Sequence, residues 1–214
     1  MLQQFLLVAG AHFLALLSPG PDFFLILRYA IARGRFQAAL VCLGITLANA
    51  IFIGLALFGL MTFGEDSRMF FVLQLAGAGF LTYMGILFIR HAGQTPLTAA
   101  ESQAVIPRPP LGALLAGLAS GLLNPKNGLF YASLFAVLNA HATPPAIQGI
   151  YALWMVIVVL GWDLLVAQMA GHPRLILRLG RTLKPIERLA GVFLLLLALG
   201  IIVSQWSMIV TYIS

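Results

Sequence analysis

Long apolar runs alternate with short polar stretches along the whole chain. Six runs, near 3–27, 37–62, 69–89, 111–138, 147–170 and 190–212, are long enough to cross ~30 Å of hydrocarbon at ~1.5 Å per residue. No alternation with a period of two is visible, so the pattern excludes a transmembrane β-barrel. It predicts an all-α membrane protein with six transmembrane helices lying in the lipid bilayer.

Two of the six runs are interrupted by proline. The first contains Ser18-Pro19-Gly20-Pro21-Asp22, and the fourth contains Asn124-Pro125-Lys126-Asn127, with Pro125 standing 106 residues after Pro19. Each break follows a Leu-Leu pair. Proline has no N–H, so Pro19, Pro21 and Pro125 leave the carbonyls of Ala15, Leu17 and Gly121 without their helical donors. In hydrocarbon a freed backbone group is costly unless protein or water meets it. Both runs are therefore expected to break there, in each case beside polar residues.

The same offset of 106 carries run two onto about 143–168, close to run five, and run three less well onto run six. Between the halves, 91–110 holds Pro96, Pro107, Pro109 and Pro110 and reads as a linker. The expectation is one domain over 1–214, with repeat one at 1–90, a cytoplasmic linker at 91–110 and repeat two at 111–214. Three helices per half would turn the second half upside down, giving an inverted repeat. The competing reading is coincidence, because proline is common in membrane helices.

Composition agrees with the pattern. Hydrophobic residues make up 61% and charged residues 8%, against roughly 25% charged in a soluble domain. The net charge of +6 does not indicate nucleic acid, because the basic residues sit in a few loops without interleaved aromatics. Ten of the twelve Lys and Arg fall in the loops after runs one, three and five, and Arg68 lies on the other side. The positive-inside rule then places those three loops in the cytoplasm and both termini outside. Run one has no preceding Lys or Arg and reads as retained rather than as a cleaved signal. Residues 172–189 read as a basic amphipathic segment on the inner leaflet, opened by Pro173 and interrupted by Pro185. A single cysteine, Cys42, excludes an intrachain disulfide.

Lys126 is the basic residue left within the membrane. Pro21 suits the first turn of a new helix, as does Pro125 after the N-cap residue Asn124. Both new helices would aim their positive ends at mid-depth, from opposite sides. Such a pair suits a zwitterion. Its carboxylate would meet the N–H groups near Gly20 and Asn124, or Lys126, and its ammonium would meet Asp22. Asp22 could instead carry a driving proton, or form an ion pair with Lys126 that only joins the halves. Asn49 should reach mid-depth in run two, facing a cavity or bonding a neighbouring helix. Asp163, after Trp162, is a candidate for a proton path or gate. His12 reads as a satisfied packing residue, about 15 Å from Asp22 along a straight helix. Gly117 and Gly121 form a G-x-x-x-G that permits close helix approach. No catalytic motif, nucleotide-binding loop or metal-ligand cluster is present, so no enzyme activity and no cofactor are expected.

Ser18-Pro19-Gly20-Pro21-Asp22-Phe23, the stretch from Gly34-Arg35 to Gly44, and Asn124-Pro125-Lys126 resemble the lysine exporter superfamily, in particular its RhtB-type homoserine/threonine exporter branch. The resemblance covers nearly the whole chain. It implies a secondary transporter of the inner membrane that exports small neutral amino acids in exchange for protons, with a homodimer as one assembly it allows. By motif it assigns importance to Ser18, Pro19, Gly20, Pro21 and Asp22, and to Asn124, Pro125 and Lys126. Asp163 departs from the family pattern, where an aromatic or apolar residue is usual. Competing expectations are export of another small solute or cation, and a passive channel or accessory membrane subunit.

Overall fold

A computed structural model describes residues 2–17, 20–62, 68–92, 109–170 and 173–204. Among these residues the backbone is helical apart from short turns, with no strand. Seven helices follow in order: α1 (Leu2–Leu17), α2 (Pro21–Thr62), α3 (Arg68–Arg90), α4 (Pro110–Leu123), α5 (Pro125–Ala140), α6 (Pro145–Met169) and α7 (Pro173–Ser204).

Both proline motifs stop a helix and start another. α1 ends at Leu17 and α2 opens at Pro21, while α4 ends at Leu123 and α5 opens at Pro125. Asn124 alone separates α4 from α5, in an extended conformation (φ −82°, ψ 103°) that ends one helix and caps the next. The halves are short. The 16 residues of α1 and the 14 of α4 reach only about 24 and 21 Å, less than a hydrocarbon core. Among the described residues, three stretches are long and apolar enough to cross a membrane alone: Pro21–Phe58, Pro145–Met169 and Lys184–Val203.

Two boundaries differ from the sequence expectation. The first run extends past 27 to a kink at Gly34, and that kink, within the expected 28–36 interval, separates it from the second. The helix continues from Pro21 to Thr62, with one non-helical residue, Gly34, at φ 82° and ψ 173°. Side chains rarely adopt that φ, so glycine is what allows the turn between a short limb (21–33) and a long limb (35–62). Nor do 172–189 form a segment of their own. α7 runs unbroken from Pro173 through Pro185 to Ser204, joining the expected surface segment to the sixth run. The expected linker falls largely on 93–108, which lie outside the described residues, as do 205–214.

α2 packs mainly on α4 and α6, and α3 mainly on α7 and α5. Glycines set the closest approaches. A Cβ on Gly117 would lie 2.1 Å from the Val41 carbonyl oxygen, and one on Gly44 2.1 Å from that of Leu114, so α2 and α4 touch backbone to backbone. Gly85 and Gly191 do the same reciprocally between α3 and α7, at 2.8 and 2.6 Å. Two apolar clusters result. The larger includes Val8, Leu81, Phe135, Met155 and Leu194, and the smaller Ile26, Val41, Ile45 and Val166. Large apolar side chains such as Leu55, Phe58, Leu153 and Leu196 face outward, as a lipid solvent requires.

Candidate functional site

A cavity of about 60 Å³ lies where the two breaks meet. Ala15 and Phe130 from the larger apolar cluster and Phe23 and Ile45 from the smaller line it, so it sits at their junction. Gly20, Asp22, Asn49, Asn124, Lys126 and Asp163 all face it. Of the other residues singled out in the sequence, Pro21 and Pro125 open α2 and α5, and Ser18 and Pro19 lie outside the described residues.

The breaks are tied by side chains that answer the missing proline N–H groups. Lys126 Nζ donates to the Ala15 carbonyl at 2.9 Å, which is the group freed by Pro19. Asn127 Nδ2 donates to the Gly121 carbonyl at 3.2 Å, the group freed by Pro125. The buried Ala15 carbonyl is thereby met, and that of Gly121 also accepts from the Asn124 N–H at 3.4 Å. The lysine ammonium also stands 5.3 Å from the centre of the Phe88 ring, within cation–π range.

Asp22 receives three neutral donors from the second break. Ser120 Oγ donates to Oδ1 at 2.5 Å, and Asn124 Nδ2 and Asn127 Nδ2 both donate to Oδ2 at 3.0 Å. Asn124 works on both sides of its amide. Its Oδ1 accepts from the Lys126 backbone N–H at 3.1 Å, capping α5, while its Nδ2 holds Asp22. The Asp22 carboxylate therefore lies at the positive end of α5, which belongs to the other half of the chain.

Two further polar residues line the cavity, and each has a buried atom unmet. His12 is 1% exposed; its Nε2 lies 3.3 Å from Tyr131 Oη, and its Nδ1 has no hydrogen-bond partner. Asp163 is 7% exposed, and its Oδ2 has none either. His12 is thus not the satisfied packing residue expected from the sequence. Asn49 neither stands free nor bridges helices: its Nδ2 donates to the Ile45 carbonyl of its own helix at 2.8 Å.

Sequence reasoning missed Ser120, Asn127, His12 and Tyr131 as parts of this site. Asn127 carried a usable signal, since Asn124, Asn127 and Tyr131 recur at helical spacing on one face of α5. Ser120 and His12 carried none, because their roles depend on contacts across 98 and 119 residues.

The family model described as LysE type translocator matches residues 13–205. This chain belongs to the LysE family of translocators. It is a multi-pass membrane protein, and the helix breaks lie within the matched region. The translocator is 32% identical over 207 residues to the threonine efflux protein of Escherichia coli K12, covering 96% of this chain and all of that protein. It is 31% identical, with the same coverage, to the threonine efflux protein of Salmonella typhi. A leucine efflux protein of Klebsiella pneumoniae is 29% identical over 147 residues, 65% of each chain. No solved structure matches the translocator.

The cavity is small for a solute-binding site. Pockets for small molecules commonly enclose ~300–1,000 Å³, and liquid water takes ~30 Å³ per molecule. At about 60 Å³ the translocator's cavity is room for a few waters.

Proposed function

We propose that this translocator exports small neutral amino acids of the threonine or homoserine type from the cytoplasm, across the inner membrane, in exchange for protons. The observation that carries the reading is the cavity between the two breaks, where an ammonium, two carboxylates and three carboxamides meet, with His12 and Tyr131, inside a largely apolar helical protein. Near-full-length similarity to proteins named for threonine efflux supports the substrate class. A zwitterion suits such a cavity. Its carboxylate goes to Lys126 and to the first-turn N–H groups of α2 beyond Gly20, and its ammonium to the acidic side chains. Asn49 and Asn124 supply neutral hydrogen bonds. The substrate and proton site comprises Ser18, Pro19, Gly20, Pro21, Asp22, Asn49, Asn124, Pro125, Lys126 and Asp163.

The transport cycle is alternating access about the breaks, in a fold of two inverted three-helix repeats. Helix bounds support the repeat: at an offset of 106, α4 overlies α1, α5 the short limb of α2, α6 the long limb, and α7 overlies α3. Gly85 and Gly191 share that offset and touch each other reciprocally, as residues near a two-fold axis would. In this reading 91–110 is a cytoplasmic linker, both termini are periplasmic, and two copies can associate.

The test is counterflow in proteoliposomes preloaded with unlabelled L-threonine, with a panel of other amino acids as competitors. Transient accumulation of external labelled threonine, abolished by small neutral amino acids and driven by an imposed pH gradient, is expected. Equilibration without overshoot would mean a channel. Counterflow insensitive to every amino acid would mean a different solute.

A further inference from the structure

Asp22 and Asp163 share one cavity but stand in opposite hydrogen-bonding states. Asp22 has Ser120 on one oxygen and Asn124 and Asn127 on the other, which occupies three of the roughly four acceptor positions of a carboxylate. All three donors come from the second break. Asp163 comes from the C-terminal third of α6, is 93% buried, and its buried Oδ2 has no partner. A buried carboxylate does not stand charged and unmet without large cost. Something outside the protein must complete it.

Resting on the exporter reading above, we propose that Asp163 is the cation subsite of this cavity: it receives the substrate's ammonium and, in the empty carrier, a proton. Asp22 is a positioning residue that holds the two breaks together. His12 lines the same cavity with Nδ1 unmet, and when Tyr131 Oη accepts from its Nε2–H that nitrogen is left as an acceptor. The charges agree. Asp22 and Asp163 against Lys126 leave the cavity lining one negative charge in excess, with His12 neutral. Lys126 is in electrostatic reach of Glu187 on α7 as well as Asp22. The groups in reach of Asp163 are Asp22 and Cys42 from α2 and Tyr131 from α5, with His12 of α1 and Lys126 of α5 on the same cavity wall. One oxygen takes a proton or an ammonium, not both. An ammonium leaving outside is replaced there by a proton, which is released inside when the next substrate binds; because the substrate leaves as a neutral zwitterion, each cycle carries one positive charge inward.

The test uses purified full-length protein and two fragments of threonine. 1-Aminopropan-2-ol keeps the ammonium and lacks the carboxylate; 3-hydroxybutyrate keeps the carboxylate and lacks the ammonium. Thermal unfolding is followed at increasing concentration of each. The amine is expected to raise the unfolding temperature of wild type and Asp163→Glu, and to need at least about tenfold more concentration in Asp163→Asn, as loss of a charge-assisted hydrogen bond implies. The response to 3-hydroxybutyrate should not change at position 163. Failure of the amine to stabilise wild type overturns the proposal, as does a loss confined to Asp22→Asn or an equal loss for both fragments in Asp163→Asn. Should Asp163→Asn not fold, wild type is labelled with an apolar carbodiimide and mapped by mass spectrometry. Modification at Asp163, blocked by the amine, is expected; modification at Asp22 instead, or no protection, overturns it. The two readings fail separately. An amine response that depends on Asp163 without threonine counterflow sinks the exporter assignment alone, and threonine counterflow with an unaltered amine response in Asp163→Asn sinks the subsite alone.

Discussion

Asn124 gives the sharpest test of how the breaks are held, because its two amide atoms do different work. Oδ1 caps α5 through the Lys126 N–H, and Nδ2 holds Asp22 across the cavity. The cap contributes about 1 kcal/mol and a hydrogen bond to a charged group about 1.5–3 kcal/mol. Asn124→Ala removes both, so a loss of about 2.5–4 kcal/mol is expected. Asn124→Ser keeps a capping oxygen and loses only the tie to Asp22. Asn124→Asp separates the two arguments. Aspartate caps helices as well as asparagine, so the cap alone predicts no loss. Yet it replaces a donor 3.0 Å from Asp22 with a second carboxylate oxygen. Two like charges about 4 Å apart repel by about 4 kcal/mol at an effective dielectric constant of 20. The aspartate variant should therefore be no more stable than the alanine one near neutral pH. It should recover as pH falls, because protonating either carboxyl removes the repulsion and restores a donor. Unfolding followed by tryptophan fluorescence across a pH series measures all four proteins. An aspartate variant as stable as wild type at neutral pH would refute the tie between Asn124 and Asp22.

Other outcomes follow from the same contacts. Lys126→Met should cost about 1–3 kcal/mol by leaving the Ala15 carbonyl unmet, and should abolish threonine counterflow; unchanged counterflow would remove the lysine from the mechanism. Gly117→Ala places a methyl 2.1 Å from the Val41 carbonyl, where ordinary contact begins near 3.4 Å, so α2 and α4 must separate by more than 1 Å at a cost of at least about 1–3 kcal/mol, whereas Gly149→Ala meets open space and should unfold like wild type. Gly34→Ala should destabilise by about 1 kcal/mol or more, through the φ of 82° rather than through any clash, and a variant as stable as wild type would show that the turn is not held there. Cys42 is fully buried, so it should resist maleimide in the folded protein and react once unfolded, which mass spectrometry can follow.

The helical class and the places where helices must stop were legible in the chain. Run length against hydrocarbon thickness is a one-dimensional quantity, and a proline lacks its N–H whatever surrounds it. That is why Pro21 and Pro125 could be read as helix starts, and Ala15 and Gly121 as carbonyls in need of donors. The G-x-x-x-G of Gly117 and Gly121 likewise announced a close approach, though not that Val41 and Ala48 would be the surfaces met. Local pattern failed where it was ambiguous in direction. Arg33-Gly34-Arg35 looks like a loop, yet one left-handed glycine suffices to turn the chain between two helical limbs. Pro185 looks like an interruption, yet α7 passes through it. What only the tertiary structure decided is which polar group answers which. Lys126 reaches Ala15 across 111 residues, Ser120 reaches Asp22 across 98, and Asp163 is left with an oxygen that nothing answers. Hydrogen-bond partnership falls off within ångströms and does not depend on distance along the chain, so the pairing of donors with acceptors appears only once the helices have packed.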